Sequence, residues 1–353
     1  MNPYVATDAD LDAWTREVVA THFDPEEGTP YWLDWESERD VDVRAAVDGF
    51  DDLREVFEPV NEDVLRTLPV ERFTPRALDG DRRVYETGGT TGAPKRVVMQ
   101  EYWREQAAWA TNVLARARFP TGNVLMLGPP GGANNAGTFV QHLAHEWDAL
   151  PYHVNMDPRW AKHLSTRDAD AFDRYVVHLI DQAERVLETQ DVRVLFTTSR
   201  LLERPRVRDL VAESSIEGVY HGGTALDPDT HRVFREDWYA DVALVGEYGN
   251  TLMGVAQEPL DLRPPERRDY HLDYVPCYPY FVPEIVADGG DPVDYGERGR
   301  VRLSVLNEEF FLPLLYERDE ATRVRGVEPL SWDWLRDPAT GASADSSAVE
   351  GVY

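Results

Sequence analysis

The chain has 353 residues, of which 65 are acidic and 36 are lysine or arginine, so its formal net charge is −29. This length is sufficient for one or two domains with a large core, and the charge argues against nucleic acid or an anionic membrane as a partner. The acidic residues are spread along the chain, a composition typical of proteins from salt-loving organisms. An acidic patch for a basic partner is the alternative interpretation.

The cysteine content and the hydropathy pattern indicate the cellular compartment in which the protein is expected. Cys277 is the only cysteine, which excludes an intrachain disulfide and suits a reducing environment. We find no signal peptide and no apolar run approaching about 18 residues, so a soluble, cytoplasmic protein is expected.

Taken in chain order, the sequence predicts an N-terminal helical segment, an α/β core, a small distorted β-barrel or meander, and a short tail. These regions are residues 1–80, 81–260, 261–330 and 331–353. The predicted helices are 7–22, one or two helices within 44–67, 101–118 and 169–188. The predicted strands are 124–127, 153–155, 194–197, 218–221, 242–245, 281–287, 299–306 and 310–316.

Polar or glycine-rich loops follow most strands of the α/β core. They comprise residues 131–135, 197–199, 222–224 and 246–254. Ligands of open parallel sheets bind at the carboxyl ends of the strands, so we expect these loops to converge on one crevice.

Residues 86–95 read Glu-Thr-Gly-Gly-Thr-Thr-Gly-Ala-Pro-Lys and lie between two strand-like segments. Glycines allow backbone amides to point inward as an anion-binding nest, and the threonines add hydroxyl groups. Lys95 is one of only two lysines in the chain. The loop therefore suits a polyphosphate, although it lacks the adjacent Gly-Lys pair of the common P-loop.

This loop resembles the phosphate-binding loop of the adenylate-forming superfamily, which includes acyl- and aryl-CoA ligases and luciferases. Three weaker matches follow in the family's order. They are His221-Gly222-Gly223-Thr224-Ala225-Leu226, Glu247-Tyr248-Gly249-Asn250-Thr251, and Tyr316-Glu317-Arg318-Asp319. The last resembles the version found in relatives of phenylacetate-CoA ligase. The resemblance covers residues 80–325.

The resemblance implies ATP-dependent activation of a carboxylic acid, with ATP and Mg²⁺ as cofactors. Lys95 and Thr251 would act on the phosphates, Tyr248 would stack on adenine, and Asp319 would accept both ribose hydroxyls. The remaining nucleotide contacts would be Thr87, Gly88, Gly89, Thr90, Thr91, Gly92, Gly222, Gly223, Thr224, Gly249 and Asn250. The acid would lie against Gly131, Gly132, Ala133, Asn134 and His221, although a hydrogen-bonded strand-end histidine is an equal alternative for His221.

The sequence departs from the family pattern in two places. Leu252 stands where the family has a glutamate that helps to hold Mg²⁺, so the metal would be held by phosphates and water or by another carboxylate such as Glu247. Only 34 residues follow Asp319 and none is lysine, so the family's C-terminal lid domain with its catalytic lysine is expected to be absent. Arg323, or alternatively Arg318 or Arg325, would replace part of that lysine's charge.

A chain without the lid resembles the carboxylate-activating component of phenazine-antibiotic biosynthesis and, less closely, the acyl-protein synthetase of bacterial luminescence. The resemblance implies that the activated acid, expected to be aromatic, passes to a separate reductase or acceptor protein. Cys277 is interpreted as structural. Two alternatives remain open: a CoA ligase completed by a partner chain, and a nucleotide-binding protein that has lost catalysis.

Overall fold

The computed structural model describes residues 11–88, 93–129, 131–263 and 269–341. The strands in these ranges are Arg83–Glu86 (β1), Arg96–Met99 (β2), Val124–Gly128 (β3), Pro151–Asn155 (β4), Val194–Thr198 (β5), Gly218–Gly222 (β6), Ala243–Asn250 (β7), Gly254–Gln257 (β8), Asp273–Pro276 (β9), Phe281–Val286 (β10), Arg298–Leu306 (β11), Phe311–Val324 (β12) and Trp334–Thr340 (β13). The α-helices are Leu11–His22 (α1), Pro30–Arg39 (α2), Val43–Ala46 (α3), Leu53–Val56 (α4), Val64–Thr67 (α5), Tyr102–Arg116 (α6), Asn135–Glu146 (α7), Pro158–Arg167 (α8), Ala169–Leu187 (α9), Ser199–Leu202 (α10), Pro205–Ala212 (α11) and Pro228–Val233 (α12).

Eleven strands form one sheet in the order β10-β11-β12-β13-β9-β8-β7-β6-β5-β3-β4. Strands β4, β3, β5, β6 and β7 pair in parallel, and the strands from β7 to β10 pair antiparallel. Every residue of β3, β5 and β6 is buried, because parallel strands are covered on both faces. The predicted α/β fold is confirmed, and its five core strands correspond to β3–β7.

Helices that connect the parallel strands follow the predicted periodicity. Helix α9 buries Val176, Leu179, Ile180 and Ala183, which is the i, i+3, i+4, i+7 spacing of an amphipathic helix. Helices α6 and α9 correspond to the predictions for 101–118 and 169–188. Among the helices of the described residues, none has the length and apolar character needed to span a membrane.

The N-terminal helices pack on the antiparallel end of the sheet. Trp14 Nε1 donates to the Leu306 carbonyl at 2.8 Å, and Trp32 Nε1 donates to the Phe311 carbonyl at 3.1 Å. Helix α1 corresponds to the prediction for 7–22, whose first residues lie outside the described ranges. Where one or two helices were predicted within 44–67, the structure has three short ones, α3, α4 and α5, and the first begins at Val43. Helix α2 was not predicted, because its closely spaced aromatic residues show no clear helical period.

The antiparallel strands β10–β13 form a meander that continues the parallel sheet. The region predicted as a tail contributes β13, which pairs with both β12 and β9. Trp334 and Leu335 are buried, and Arg336 Nε lies 2.6 Å from Oδ1 of Asp273 in β9. These long-range contacts order a segment whose composition alone predicted no strand.

Candidate functional site

The hairpin of β1 and β2 carries the glycine- and threonine-rich loop. The Thr87 amide donates to the Lys95 carbonyl, and the Lys95 amide donates to Oγ1 of Thr87, both at 3.0 Å. A Cβ atom placed on Gly88 would meet no atom of the described residues within 4 Å. The other predicted phosphate contacts, Gly89, Thr90, Thr91 and Gly92, lie outside the described residues.

The lysine of this loop forms an ion pair that the sequence did not predict. Lys95 Nζ lies 2.5 Å from Oε2 of Glu62, just before α5. Arg66 binds the other oxygen of Glu62 at 2.8 Å, and its Nε donates to the Ala93 carbonyl at 3.1 Å. Burial alone would raise the pKa of Glu62, but the hydrogen bonds from Lys95 and Arg66 outweigh burial and hold that pKa below its usual value.

Thr251 joins the hairpin to the loop before α7. Its Oγ1 lies 3.2 Å from the Glu86 carbonyl and 3.1 Å from Oδ1 of Asn135. The Glu86 amide donates to the Ala133 carbonyl at 2.9 Å. Gly132 has a φ of +81°, a conformation that favours glycine. The structure therefore brings the predicted acid-binding loop, the phosphate hairpin and Thr251 together.

The end of β7 meets β12. Tyr248 donates from its hydroxyl group to Oδ2 of Asp319 at 2.9 Å, and Asn250 Nδ2 donates to Oε1 of Glu317 at 2.9 Å. Residues two apart on a strand point to the same side, which explains why Glu317 and Asp319 both face β7. A Cβ atom on Gly249 would lie 2.1 Å from the Gly254 carbonyl oxygen, so only glycine fits this turn.

The end of β6 carries His221 and the predicted nucleotide contacts Gly222, Gly223 and Thr224. His221 is buried, and its Nδ1 lies 2.9 Å from Oγ of Ser199. Burial lowers the pKa of His221 to about 3, so the ring is neutral near pH 7. Gly223 has a φ of +74°, and the Thr224 carbonyl accepts a hydrogen bond from Ser199 at 3.3 Å. The contacts of His221 are those of a hydrogen-bonded strand-end histidine.

Glu247 and Leu252 do not form a metal site. Leu252 is fully buried, and the Glu247 carboxyl group packs over Gly222 and interacts with the Tyr220 hydroxyl. Burial raises the pKa of Glu247 to about 8, and a neutral carboxyl group is a poor ligand for Mg²⁺. Across the described part of the chain, no group of three or more His, Cys, Asp or Glu side chains is arranged to hold a metal ion.

Arg323 is held away from the other candidate residues. Its Nε lies 2.8 Å from Oδ2 of Asp333, an N–H donates to the Val293 carbonyl at 2.7 Å, and the guanidinium lies 4.3 Å from the Tyr295 ring centroid. Arg323 lies four positions after Asp319 on β12, or about 13 Å at the usual rise per residue. These contacts do not favour the proposed role of Arg323 as a replacement for the lid lysine, and that role stays a prediction.

Sequence reasoning missed Glu62, and it named Asn135, Ser199 and Glu317 only as members of a predicted loop or motif. The period-2 pattern of β12 could have indicated Glu317, which shares the face of Asp319. Nothing local indicates Glu62, because its contact with Lys95 spans 33 residues and depends on how α5 packs. Cys277 is buried, as its structural interpretation requires.

Comparisons with known proteins agree with this architecture at the level of the fold. No family model and no curated protein matches the chain. A solved structure of 2-hydroxyisobutyryl-CoA ligase with 2-HIB-AMP and CoA in the thioesterification state aligns with a TM-score of 0.68 and 13% identity, covering 94% of this chain and 67% of that chain. An open conformation of that ligase with 2-HIB-AMP and CoA aligns with a TM-score of 0.67 and 11% identity, covering 95% and 74%. The layered α/β sheet therefore shares the fold of this ligase over 67% and 74% of the two solved chains.

Proposed function

We propose that this protein activates a carboxylic acid with ATP, forming an acyl-adenylate and releasing pyrophosphate. The shared fold supports the proposal, since solved structures with that fold were obtained with 2-HIB-AMP bound. Among the proposed ATP contacts, Gly222 ends β6 and Asn250 ends β7, and the carboxyl ends of parallel strands are where open α/β sheets bind their ligands. Lys95 lies on the β1–β2 hairpin and Asp319 on the antiparallel strand β12. The acid is proposed to be aromatic and to pass, once activated, to a reductase or another acceptor protein.

The observation that carries the proposal is the 2.9 Å hydrogen bond from Tyr248 to Asp319. These residues lie 71 positions apart and belong to different motifs, yet they form one surface with an aromatic face and a carboxylate. An adenine can stack on such a ring, and a short carboxylate can accept from both ribose hydroxyls.

In the proposed reaction a carboxylate oxygen attacks the α-phosphorus of ATP, and the bond from that phosphorus to the bridging oxygen of pyrophosphate breaks. The protein's task is to hold two anions in line and to offset the charge of the transition state. Thr251 would contact the α-phosphate, while Lys95 and the loop from Thr87 would hold the outer phosphates. Arg323 has no part in this scheme.

Mg²⁺ would enter bound to the phosphates and water, because Leu252 and Glu247 do not fit it. When bound it would reduce the negative charge of the triphosphate. Thr251 Oγ1 and Asn135 Oδ1 lie 3.1 Å apart and would contribute weak, neutral ligands.

A second function is favoured by the burial of Leu252. If the missing carboxylate is essential, the chain would bind ATP without activating an acid. A nucleotide-binding protein of this kind would show the same affinity for ATP with and without any acid.

Acid-dependent exchange of pyrophosphate into ATP tests the proposal. The assay would use benzoate-like and fatty acids in molar KCl, with hydroxylamine to trap adenylates and with a parallel CoA-thioester assay. Adenylation is supported if the wild type exchanges pyrophosphate with at least one acid and the Lys95→Ala variant does not. Rapid thioester formation by the isolated chain would favour a CoA ligase, and bound ATP without exchange would favour the nucleotide-binding function.

A further inference from the structure

Glu247, a half-buried residue whose Oε2 is buried, lies on the face of β7 opposite Tyr248. Side chains alternate along a strand, so Glu247 points away from the Tyr248 side. A Cβ atom placed on Gly222 would lie 2.2 Å from Cγ and 2.8 Å from Oε1 of Glu247. The carboxyl group therefore covers Gly222, and only a residue without a side chain leaves room for it.

The surroundings of this carboxyl group are aromatic on one side. Tyr220 stacks on Phe196 with ring centroids 5.0 Å apart and lies 6.0 Å from Phe139 of α7. The Tyr220 hydroxyl interacts with Glu247 and also donates to Oε1 of Gln257 at 3.2 Å. Because that hydroxyl has one proton, a neutral Glu247 would donate to Tyr220 and keep its second oxygen as an acceptor.

Two buried atoms of this network, Oε2 of Glu247 and Nε2 of Gln257, have no hydrogen-bond partner among the residues that the structure describes. Most buried polar atoms in folded proteins are hydrogen-bonded, so an unpaired buried oxygen needs an explanation, and a donor from a ligand is one that suits this place in the fold.

We expect the carboxyl group to face the end of the site proposed for the acid. Phe139 lies one helical turn after Asn135, so both residues project from the same side of α7. Asn135 contacts Thr251, the residue proposed to touch the α-phosphate. Gly222 lies two residues after Tyr220 on β6. Since Tyr220 packs near Phe139, we expect Gly222, and the Glu247 carboxyl group that covers it, to lie opposite the first turn of α7.

We infer that Glu247 determines substrate specificity, and that the acid is an aromatic carboxylic acid with a hydroxyl or amino group that donates to Oε2 of Glu247. This inference rests on the proposed function, because it assigns the donor to the acid that is activated. A site built to bond a hydroxyl discriminates strongly against the analogue that lacks it, since the analogue leaves a buried polar group unpaired.

The test compares benzoate with the hydroxy- and aminobenzoates in the exchange assay, using the wild-type chain, Glu247→Leu and Glu247→Gln. The wild type should favour at least one substituted acid over benzoate in kcat/KM by about tenfold or more. In Glu247→Leu this ratio should fall to about one, with benzoate retained or improved. Glu105→Gln, which alters another buried acid beside Tyr280, is the matched control and should keep the wild-type ratio.

Calorimetric titration of the wild type and the variants with the same acids measures acid binding independently of exchange. The two measurements together distinguish a failure of this inference from a failure of the proposed function. Equal use of benzoate and every substituted acid by the wild type, or an unchanged ratio in a folded Glu247→Leu, overturns the inference while adenylation stands. If Glu247→Leu does not fold, Glu247→Gln decides by the same ratio. Selective binding of a substituted acid without exchange supports the pocket and contradicts adenylation. No binding of any acid overturns both.

Discussion

Lys95 Nζ lies 2.5 Å from Oε2 of Glu62, and the lysine side chain is only 11% exposed. The cation proposed to bind the outer phosphates of ATP is therefore already neutralised by a carboxylate from the N-terminal helical segment. A triphosphate must displace Glu62 or accept its repulsion, because like charges at such distances disfavour each other. The segment thus contributes a charged group to the site as well as packing.

Replacement of Glu62 by glutamine should strengthen ATP binding severalfold. The amide removes the charge that competes for Lys95 while keeping a similar shape. AMP affinity should hardly change, because AMP lacks the outer phosphates. Calorimetric titrations in high salt would measure both. The control is Asp63→Asn, which removes a neighbouring acid that contacts Arg66 and not Lys95. An equal gain in ATP affinity in this control would show that the effect comes from the lower negative charge of the protein and not from Lys95.

Lys95→Ala should weaken ATP binding by about 1.5–3 kcal/mol, the scale of a hydrogen bond to a charged group. AMP should bind as before. The double variant Lys95→Ala, Glu62→Gln should recover part of the loss, because it removes the unpaired carboxylate that the single variant leaves beside the phosphates. An unchanged ATP dissociation constant in Lys95→Ala would contradict the proposal that this loop binds the phosphates of ATP.

Asp319→Asn and Tyr248→Phe should weaken ATP and AMP to the same extent. Asp319→Asn changes the proposed ribose acceptor, and Tyr248→Phe removes the hydroxyl group that orients it at 2.9 Å. We expect the larger loss for Asp319→Asn, and about 0.5–1.5 kcal/mol for Tyr248→Phe. A loss confined to ATP in either variant would contradict the division between ribose and phosphate contacts.

Gly222→Ala should destabilise the fold through its contact with Glu247. The added Cβ atom would lie 2.2 Å from Cγ of Glu247, and overpacking of this kind typically costs about 1–3 kcal/mol. The cost should shrink when Glu247→Ala is added, so the two free energies of unfolding should not be additive. Denaturant titrations of both single variants and the double variant check this, and strict additivity would exclude the contact.

Stability should fall in mild acid because of His22. Its Nε2 hydrogen-bonds to the Asn307 carbonyl at 2.7 Å, its Nδ1 lies 2.6 Å from Oγ1 of Thr29, and burial lowers its pKa to about 4. The unfolded chain binds this proton below about pH 6.5 and the folded chain below about 4. The contribution of the neutral ring is therefore complete above pH 6.5 and is lost as the pH falls towards 4.

Thermal unfolding between pH 8 and 4 tests this. In His22→Gln the loss of stability over that range should be smaller by up to about 3 kcal/mol, although the variant is less stable at pH 8. His163→Gln, at an exposed position, should keep the wild-type slope. Equal slopes for the wild type and His22→Gln would assign the acid sensitivity to other groups.

Much of the fold was predictable because its signals are local. Strands β3–β7 appear as short apolar runs with glycine or polar residues directly after them, and the helices between them have a 3.6-residue period. The rule that parallel strands bind ligands at their carboxyl ends then predicted that Thr251, Tyr248 and the loop before α7 lie at one edge. The ATP-binding roles of these residues stay predictions.

By itself the sequence determined the α/β fold, the glycine loop that ends at Lys95, and the candidate pair Tyr248 and Asp319. Only the tertiary structure decided that Lys95 pairs with Glu62, that Glu247 packs over Gly222, and that the supposed tail supplies β13. Each of these contacts joins side chains far apart in the chain. Their free energies depend on burial and on charge partners that exist only after packing, and no local period or propensity encodes them.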